Sequence, residues 1–171
     1  LFPYTTLFRS FASGLAGLLR SRHSDWATDL IRAQIIRTAD NVDSANAGYT
    51  GLLGSGRINA GTALQTSPVP RLTAVSYTVD GEKKAPEPGS TFDFVVELQN
   101  EWGPLGPSTG TLSSSDGYVT INNGTASFAG LDALASGDNA GDPFRITLAG
   151  GTPYQHEIHF RLELSDGSGY R

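Results

Sequence analysis

The period of the apolar pattern changes at Ser67-Pro68-Val69-Pro70, and that change constrains the fold more than any other feature of the chain. Before it, apolar residues recur at helical spacing: Leu15, Leu18 and Leu19 in one stretch, then Leu30, Ile31, Ile35 and Ile36. After it they alternate, with Phe92, Phe94, Val96 and Leu98 on one face of TFDFVVELQ. Helical stripes and alternating strands bury themselves against different partners, so two cores are expected. The chain is read as a lead-in over 1–11, a helical region over 12–66, a Pro-containing linker over 67–70 and a strand region over 71–171.

In the helical region, ASGLAGLLRSR is rich in small residues, which weaken helix propensity but allow close backbone packing; a buried helix is expected. A second helix is expected from Trp26–Thr28 to Thr38–Asn41, with Thr28 as its cap and Asp29 in its first turn. The Gly- and Asn-rich NVDSANAGYTGLLGSG reads as a loop and RINAGTAL as a short closing helix. The strand region offers RLTAVSYTV, TFDFVVELQ, TLSSS, YVTI, TASFAG, FRITL and EIHFRLEL, six or seven strands in all. Between them lie Asp80-Gly81, Pro88-Gly89, Asp116-Gly117, Asn123-Gly124 and Gly150-Gly151, expected to supply the positive φ of tight turns. Short strands with regular turns and no intervening helix predict an antiparallel, immunoglobulin-like β-sandwich of about 100 residues.

Composition narrows the function. At 38% hydrophobic and 17% charged the chain is too apolar for a disordered segment, and it has no apolar run long enough to span a bilayer. With no Cys, disulfides, thiolate metal sites and a cysteine nucleophile are excluded. The chain also has no Met and starts at Leu1, which reads as an interior piece of a longer gene product. Residues 1–65 carry six Arg against four Asp, a net of +2, while residues 66–171 carry six Lys and Arg against thirteen Asp and Glu, a net of −7. Neither region offers a phosphate-binding basic patch, so nucleic acid is not an expected partner. LFPYTTLFRS shows no helical period, no capping logic and no signal-peptide shape. It is similar to translated sequencing-adapter DNA, and is expected to be a non-native lead-in, the alternative being a disordered or strand-like native one.

Three motifs follow one another in the helical region. Ser13-Gly14 with Ala16, Gly17 and Leu18 matches the latter half of G-T-S-x-A-x-P-x-V-[AS]-G-x-A-A-L. His23-Ser24-Asp25-Trp26 followed by Thr38-Ala39-Asp40-Asn41-Val42-Asp43 matches H-P-x-W and T-A-D-x-[IV]-D. Gly54, Gly56, Arg57, Ile58, Asn59, Ala60, Ala63 and Leu64 match G-x-G-[RY]-[IV]-[ND]-A-x-x-A-[LV]. Residues 12–65 thereby resemble the C-terminal end of the catalytic domain of subtilisin-like serine peptidases, the subtilases, over about a third of the chain. The resemblance implies an α+β fragment: the last helices of an α/β peptidase domain, then the sandwich. An ungapped count places the family's nucleophile on Thr6, whose neighbours Tyr4, Thr5 and Leu7 do not reproduce the motif. Reading Ser10-Phe11-Ala12-Ser13 as the nucleophile segment instead deletes about one helical turn. The family's catalytic Asp and His and its oxyanion Asn precede the serine, so they would lie upstream. No catalytic, cofactor-binding or metal residue is therefore assigned to this chain, and no cofactor is expected.

The remaining chemistry-bearing residues read as structural. His23 sits at a helix C-terminus, where a free carbonyl or the helix dipole explains it. His156 and His159, three apart on an expected strand, would face opposite sides and make poor co-ligands. Gly54-Ser55-Gly56 lacks the preceding strand of a dinucleotide loop. In Asp80–Gly89, Lys83 and Lys84 stand where calcium would need oxygen ligands. Asp132, Asp138 and Asp142 read as solvated loop charges, and Asn123-Gly124-Thr125 fits a glycosylation sequon and equally a hairpin turn, with no eukaryotic origin indicated. Trp26 reads as packing; Trp102 reads as a cap on the sandwich, with a stacked sugar as the alternative.

The strand region resembles the accessory sandwiches of secreted bacterial subtilases and other exported peptidases, through Pro88–Phe92, a turn at Asn100 and Asp142–Leu148. The expectation is a fragment, inactive by itself, of a secreted or cell-surface serine endopeptidase acting on proteins or peptides, with no membrane insertion and an unknown ligand for the sandwich. The alternative is a non-catalytic binding or spacer module of an extracellular protein.

Overall fold

The structure is a computed structural model that describes residues 4–167, with side chains from residue 9 onward. Residues 1–3 of the expected lead-in, the side chain of Thr6 and residues 168–171 lie outside the described residues. The chain divides into two compact units, Leu1–Pro68 and Val69–Arg171, each taken by itself here.

The first unit contains α1 (Tyr4–Arg22), α2 (Thr28–Arg37), two single 3-10 turns at Asp43–Ala45 and Ala47–Tyr49, and α3 (Ala60–Gln65). The helix therefore starts upstream of the expected Ala12 and takes in residues read as lacking helical character. No Gly or Pro interrupts residues 4–12, so a helix nucleated around Leu15–Leu19 extends back until Pro3. Thr28 is not a cap: Ala27, in extended conformation and without a side-chain bond, holds that position. Among the described residues the side-chain cap of this kind is Asn59, whose Oδ1 accepts from the Thr62 amide at 2.9 Å and starts α3. The core is small. Leu15, Leu19, Ile31 and Ala63 are buried, with Ala16, Trp26, Ile35 and Leu64 packed around them. Gln34, wholly buried, completes it by donating from Nε2 to the carbonyls of Ala63 and Thr66 at 2.8 and 2.7 Å, which ties α2 to the end of α3.

The second unit is built of β1 (Leu72–Val79), β2 (Thr91–Asn100), β3 (Ser108–Ser113), β4 (Val119–Asn123), β5 (Thr125–Phe128), β6 (Ser136–Asp138), β7 (Phe144–Leu148) and β8 (Arg161–Ser165). One sheet has the order β1-β2-β7-β4, with β6 also on β2; the other has the order β5-β3-β8. All pairs are antiparallel. Phe92, Phe94, Val96, Leu98, Phe144, Ile146 and Leu148 of the first sheet share one core with Leu112, Ala126, Phe128 and Leu164 of the second. Two antiparallel sheets facing one core, beside few helices, make an α+β chain whose second unit is compatible with a β-sandwich.

Several expectations need correction here. The Asn123-Gly124 segment is no hairpin: β4 and β5 belong to different sheets, and this segment carries the chain across. Space explains the glycine, since a Cβ there would lie 3.1 Å from both Ile121 Cγ2 and the Leu112 carbonyl. Positive φ occurs at Asp80, Gly81 and Gly89 but not at Gly117, Gly124, Gly150 or Gly151. At Asp80-Gly81 it closes a two-residue turn, with Val79 and Glu82 exchanging N–H···O bonds of 2.8 and 3.0 Å. The last strand starts at Arg161 rather than at Glu157. Strand β6 lies in a stretch without strand propensity, and Asn139 explains its place. β6 faces Glu97–Gln99 and β7 faces Thr91–Phe94, leaving β2 unpaired between them; there the buried Asn139 Oδ1 accepts from the Val96 amide at 2.8 Å. Asn100, also wholly buried, plays the same part at the end of β2. Its Nδ2 donates to the carbonyls of Gly103, Leu131 and Asp132, and its Oδ1 accepts from the amides of Arg71 and Trp102. An unpaired buried amide is costly, so both asparagines fix their loops in place.

Candidate functional site

Helix α1 has two apolar faces. Leu15 and Leu19, four apart, turn into the core of the first unit. Phe11 and Leu18, seven apart, remain 70% and 55% exposed on another face, with Gly14 between them. This second face lines an open groove of about 1050 Å³ together with Val42, Leu53 and Ile58. The space beside Gly14 and Gly17 is empty: a Cβ added at either would meet nothing within 4 Å. Gly14 and Gly17, read as signs of a buried helix, thus lie on a surface that nothing in the described residues covers, whereas Ala16 packs against the core.

The groove wall is held by the motif residues themselves. Asp40 and Arg57 exchange backbone hydrogen bonds of 2.8 and 2.9 Å. The Asp40 carboxylate accepts from Asn59 Nδ2 at 2.8 Å and from Arg57 Nη2 at 2.9 Å. Those two donors, Asn59 first, hold the Asp40 carboxyl below its ordinary pKa. Gly56 has φ +103°, and a Cβ there would sit 2.0 Å from the Asp40 carbonyl oxygen. Only glycine fits. The T-A-D and G-x-G-R-I-N motifs therefore form one latch, 16 positions apart in sequence between Asp40 and Gly56 and joined in space. Its residues serve backbone geometry, and Gly54-Ser55-Gly56 is the turn that leads into it.

Among the described residues of this unit, nucleophile and base do not come together. Ser10 and Ser13 lie on α1, and His23 stacks on Trp26 with ring centroids 3.9 Å apart, where Arg20 also donates to the Trp26 carbonyl. Thirteen helical positions at about 1.5 Å each separate Ser10 from His23, far beyond proton-transfer reach.

In the second unit the structure forms a pair that sequence reasoning missed. His156 Nε2 lies 2.7 Å from Asp116 Oδ2, and Tyr118 meets the imidazole edge-on at 4.9 Å. The Tyr118 amide, then His156, lowers the Asp116 pKa. Ser114 completes no triad: its Oγ accepts from the Asp116 amide and donates to the His159 carbonyl. The cluster anchors the segment before β8 to the β3–β4 turn. Forty positions separate the partners, so only the fold could bring them together. His159 is exposed, and the two histidines share no ligand position.

The acidic residues are dispersed. Asp80 accepts from the Asp93 amide, Asp138 from the Ala140 amide and Asp142 from the Ser127 amide, each at 2.9 Å. Asp132 contributes its carbonyl to Asn100. In the 80–89 loop Lys84 pairs with Glu82 at 3.0 Å. Among the described residues no three His, Asp or Glu side chains converge on a metal position. Trp102 is 8% exposed, so it offers no open face for stacking a sugar. No helix among the described residues is long and apolar enough to cross a membrane. No protein-family model matches the chain, and no curated protein matches it.

Proposed function

We propose that residues 12–66 are the C-terminal helical end of a subtilisin-like serine endopeptidase domain, and that residues 71–171 are its immunoglobulin-like accessory module. In this reading the whole enzyme is secreted or displayed by a bacterium and cleaves protein or peptide substrates. Its serine is acylated by the peptide carbonyl, the amine leaves with the proton taken by the histidine, and water releases the acyl group. The triad and oxyanion donors belong to sequence preceding residue 12, so the 171-residue chain is catalytically silent.

The observation that carries this reading is the second apolar face of α1. A helix whose apolar surface continues past its packed residues onto an open stripe belongs inside a layered domain, and the stripe along Phe11, Gly14 and Leu18 is where a parallel sheet would pack. The latch of Asp40, Gly56, Arg57 and Asn59 supports it, because it gives two of the three motifs one shared purpose. Sequencing the source DNA across the codon for Ala12 tests the reading. The expected result is a frame running back through G-T-S-x-A-x-P-x-V to His and Asp motifs. A start codon directly preceding LFPYTTLFRS would overturn it and leave a binding or spacer module.

A further inference from the structure

Asn123-Gly124 is the chain's one Asn-Gly pair, and it sits where β4 of one sheet hands the chain to β5 of the other. A glycine after asparagine leaves its own amide nitrogen free to attack the asparagine side chain, because no Cβ shields it. The Gly124 nitrogen bonds to Asn123 Cγ, the Cγ–Nδ2 bond breaks, and ammonia leaves with the proton that the Gly124 nitrogen gave up. Water then opens the cyclic imide. Opening at the side-chain carbonyl leaves aspartate. Opening at the main-chain carbonyl leaves isoaspartate, whose backbone runs through Cβ and Cγ and is one carbon longer.

The fold withholds the geometry of the first step. Ring closure needs the Gly124 nitrogen to eclipse Asn123 Cβ, a ψ that strand backbone does not have, and Asn123 is the last residue of β4, in register with Arg145. Both ends of its side-chain amide are engaged. Oδ1 accepts from the Thr125 amide and hydroxyl at 3.2 Å each, and Nδ2 donates to the Pro143 carbonyl at 3.4 Å. Beyond it the Gly124 carbonyl accepts from the Leu112 amide of β3 at 2.8 Å. The chain cannot rotate at Asn123 without giving up contacts to both sheets.

The same passage has no room for a longer backbone. A Cβ on Gly124 would already stand 3.1 Å from Ile121 Cγ2 and from the Leu112 carbonyl oxygen. On one side Ile121 is set opposite Ile146; on the other Ala126 and Phe128, both buried, are set opposite Gly110 and Ser108. Only Gly124 connects the two strands, so an added carbon has to pull one of them out of step with its neighbour and draw buried side chains from the core.

We propose that Asn123-Gly124 is a self-modifying site that the fold holds shut. The pair reacts only through openings of the second unit, and the isoaspartate that forms stops β4 and β5 from closing again. A reversible opening thereby becomes a permanent one.

The test holds the full chain in mildly alkaline buffer with and without denaturing urea, and follows residues 119–128 by peptide mapping. Conversion at Asn123 should be about tenfold or more slower without urea, since only the opened fraction reacts. After dilution from urea, size-exclusion chromatography separates refolded from unrefolded chain. Isoaspartate should collect in the unrefolded fraction, while chains converted to aspartate refold. Asn123→Asp, made directly, should refold as well, because it brings the new charge without the added carbon. Asn123→Gln, whose longer side chain closes its ring far more slowly, should keep its refolded share through the same incubation. Equal conversion with and without urea would overturn the proposal. So would isoaspartate spread evenly over both fractions, or Asn123→Gln losing refolded chain as fast as the unchanged protein.

Discussion

The two units have comparable regularity of pattern and very different closure. In the second, alternation along β2 and β7 places every inward residue against the opposite sheet, and fourteen buried apolar residues form one core. In the first, an equally clear helical period yields, among the described residues, four buried apolar side chains and leaves Phe11 and Leu18 on an open face. A hydrophobic period therefore states which element forms. Whether the element stands without help depends on how many of its faces find partners.

Substitutions can break this contrast or sharpen it. The largest effect belongs to Phe144, which is wholly buried where the two sheets meet. Phe144→Ala should cost about 3–5 kcal/mol, read as a lower urea midpoint of Trp102 fluorescence in a Trp26→Phe background. The first unit answers at Gly56. Gly56→Ala drives a methyl group into the Asp40 carbonyl at positive φ and should cost about 2–4 kcal/mol, seen as lost helical circular dichroism with the Trp102 transition unmoved.

A smaller effect appears in acid. Asp116 titrates below its ordinary 3.8 when folded, so its stabilisation is fully present above that value and is lost as pH falls through the folded pKa. Asp116→Asn should flatten the acid limb of the second unit's stability curve. Asp40→Asn should do the same for the first unit, since its carboxyl is shifted in the same direction. Smallest of all is Leu18→Gln. If the second face of α1 is open, this change should alter stability by less than about 0.5 kcal/mol while reducing binding of a hydrophobic dye.

The strands of the second unit were legible because Phe92, Phe94, Val96 and Leu98 obey a local rule. What escaped depends on distance or on context. Strand β6 exists through Asn139, not through its own Ser-Gly-Asp sequence. The Asp116–His156 pair spans forty positions without any spacing signal, and Asn123-Gly124 reads as a hairpin until the sheets are known. In the first unit the helices and Asp29 in the first turn were visible, but the cap at Ala27 was not, because it uses no side chain. The glycine motif was visible as a pattern. Its reason, a carbonyl 2.0 Å from the missing Cβ, was not.

Hydrogen exchange on the full chain, read by mass spectrometry, tests the contrast most directly. Amides of β2 and β7 should exchange slowly, at the global opening of a closed core, while those of α1 and α2 exchange much faster through local opening. Protection in α1 equal to that in β2 would contradict the account, since it would mean that the first unit needs no further partner.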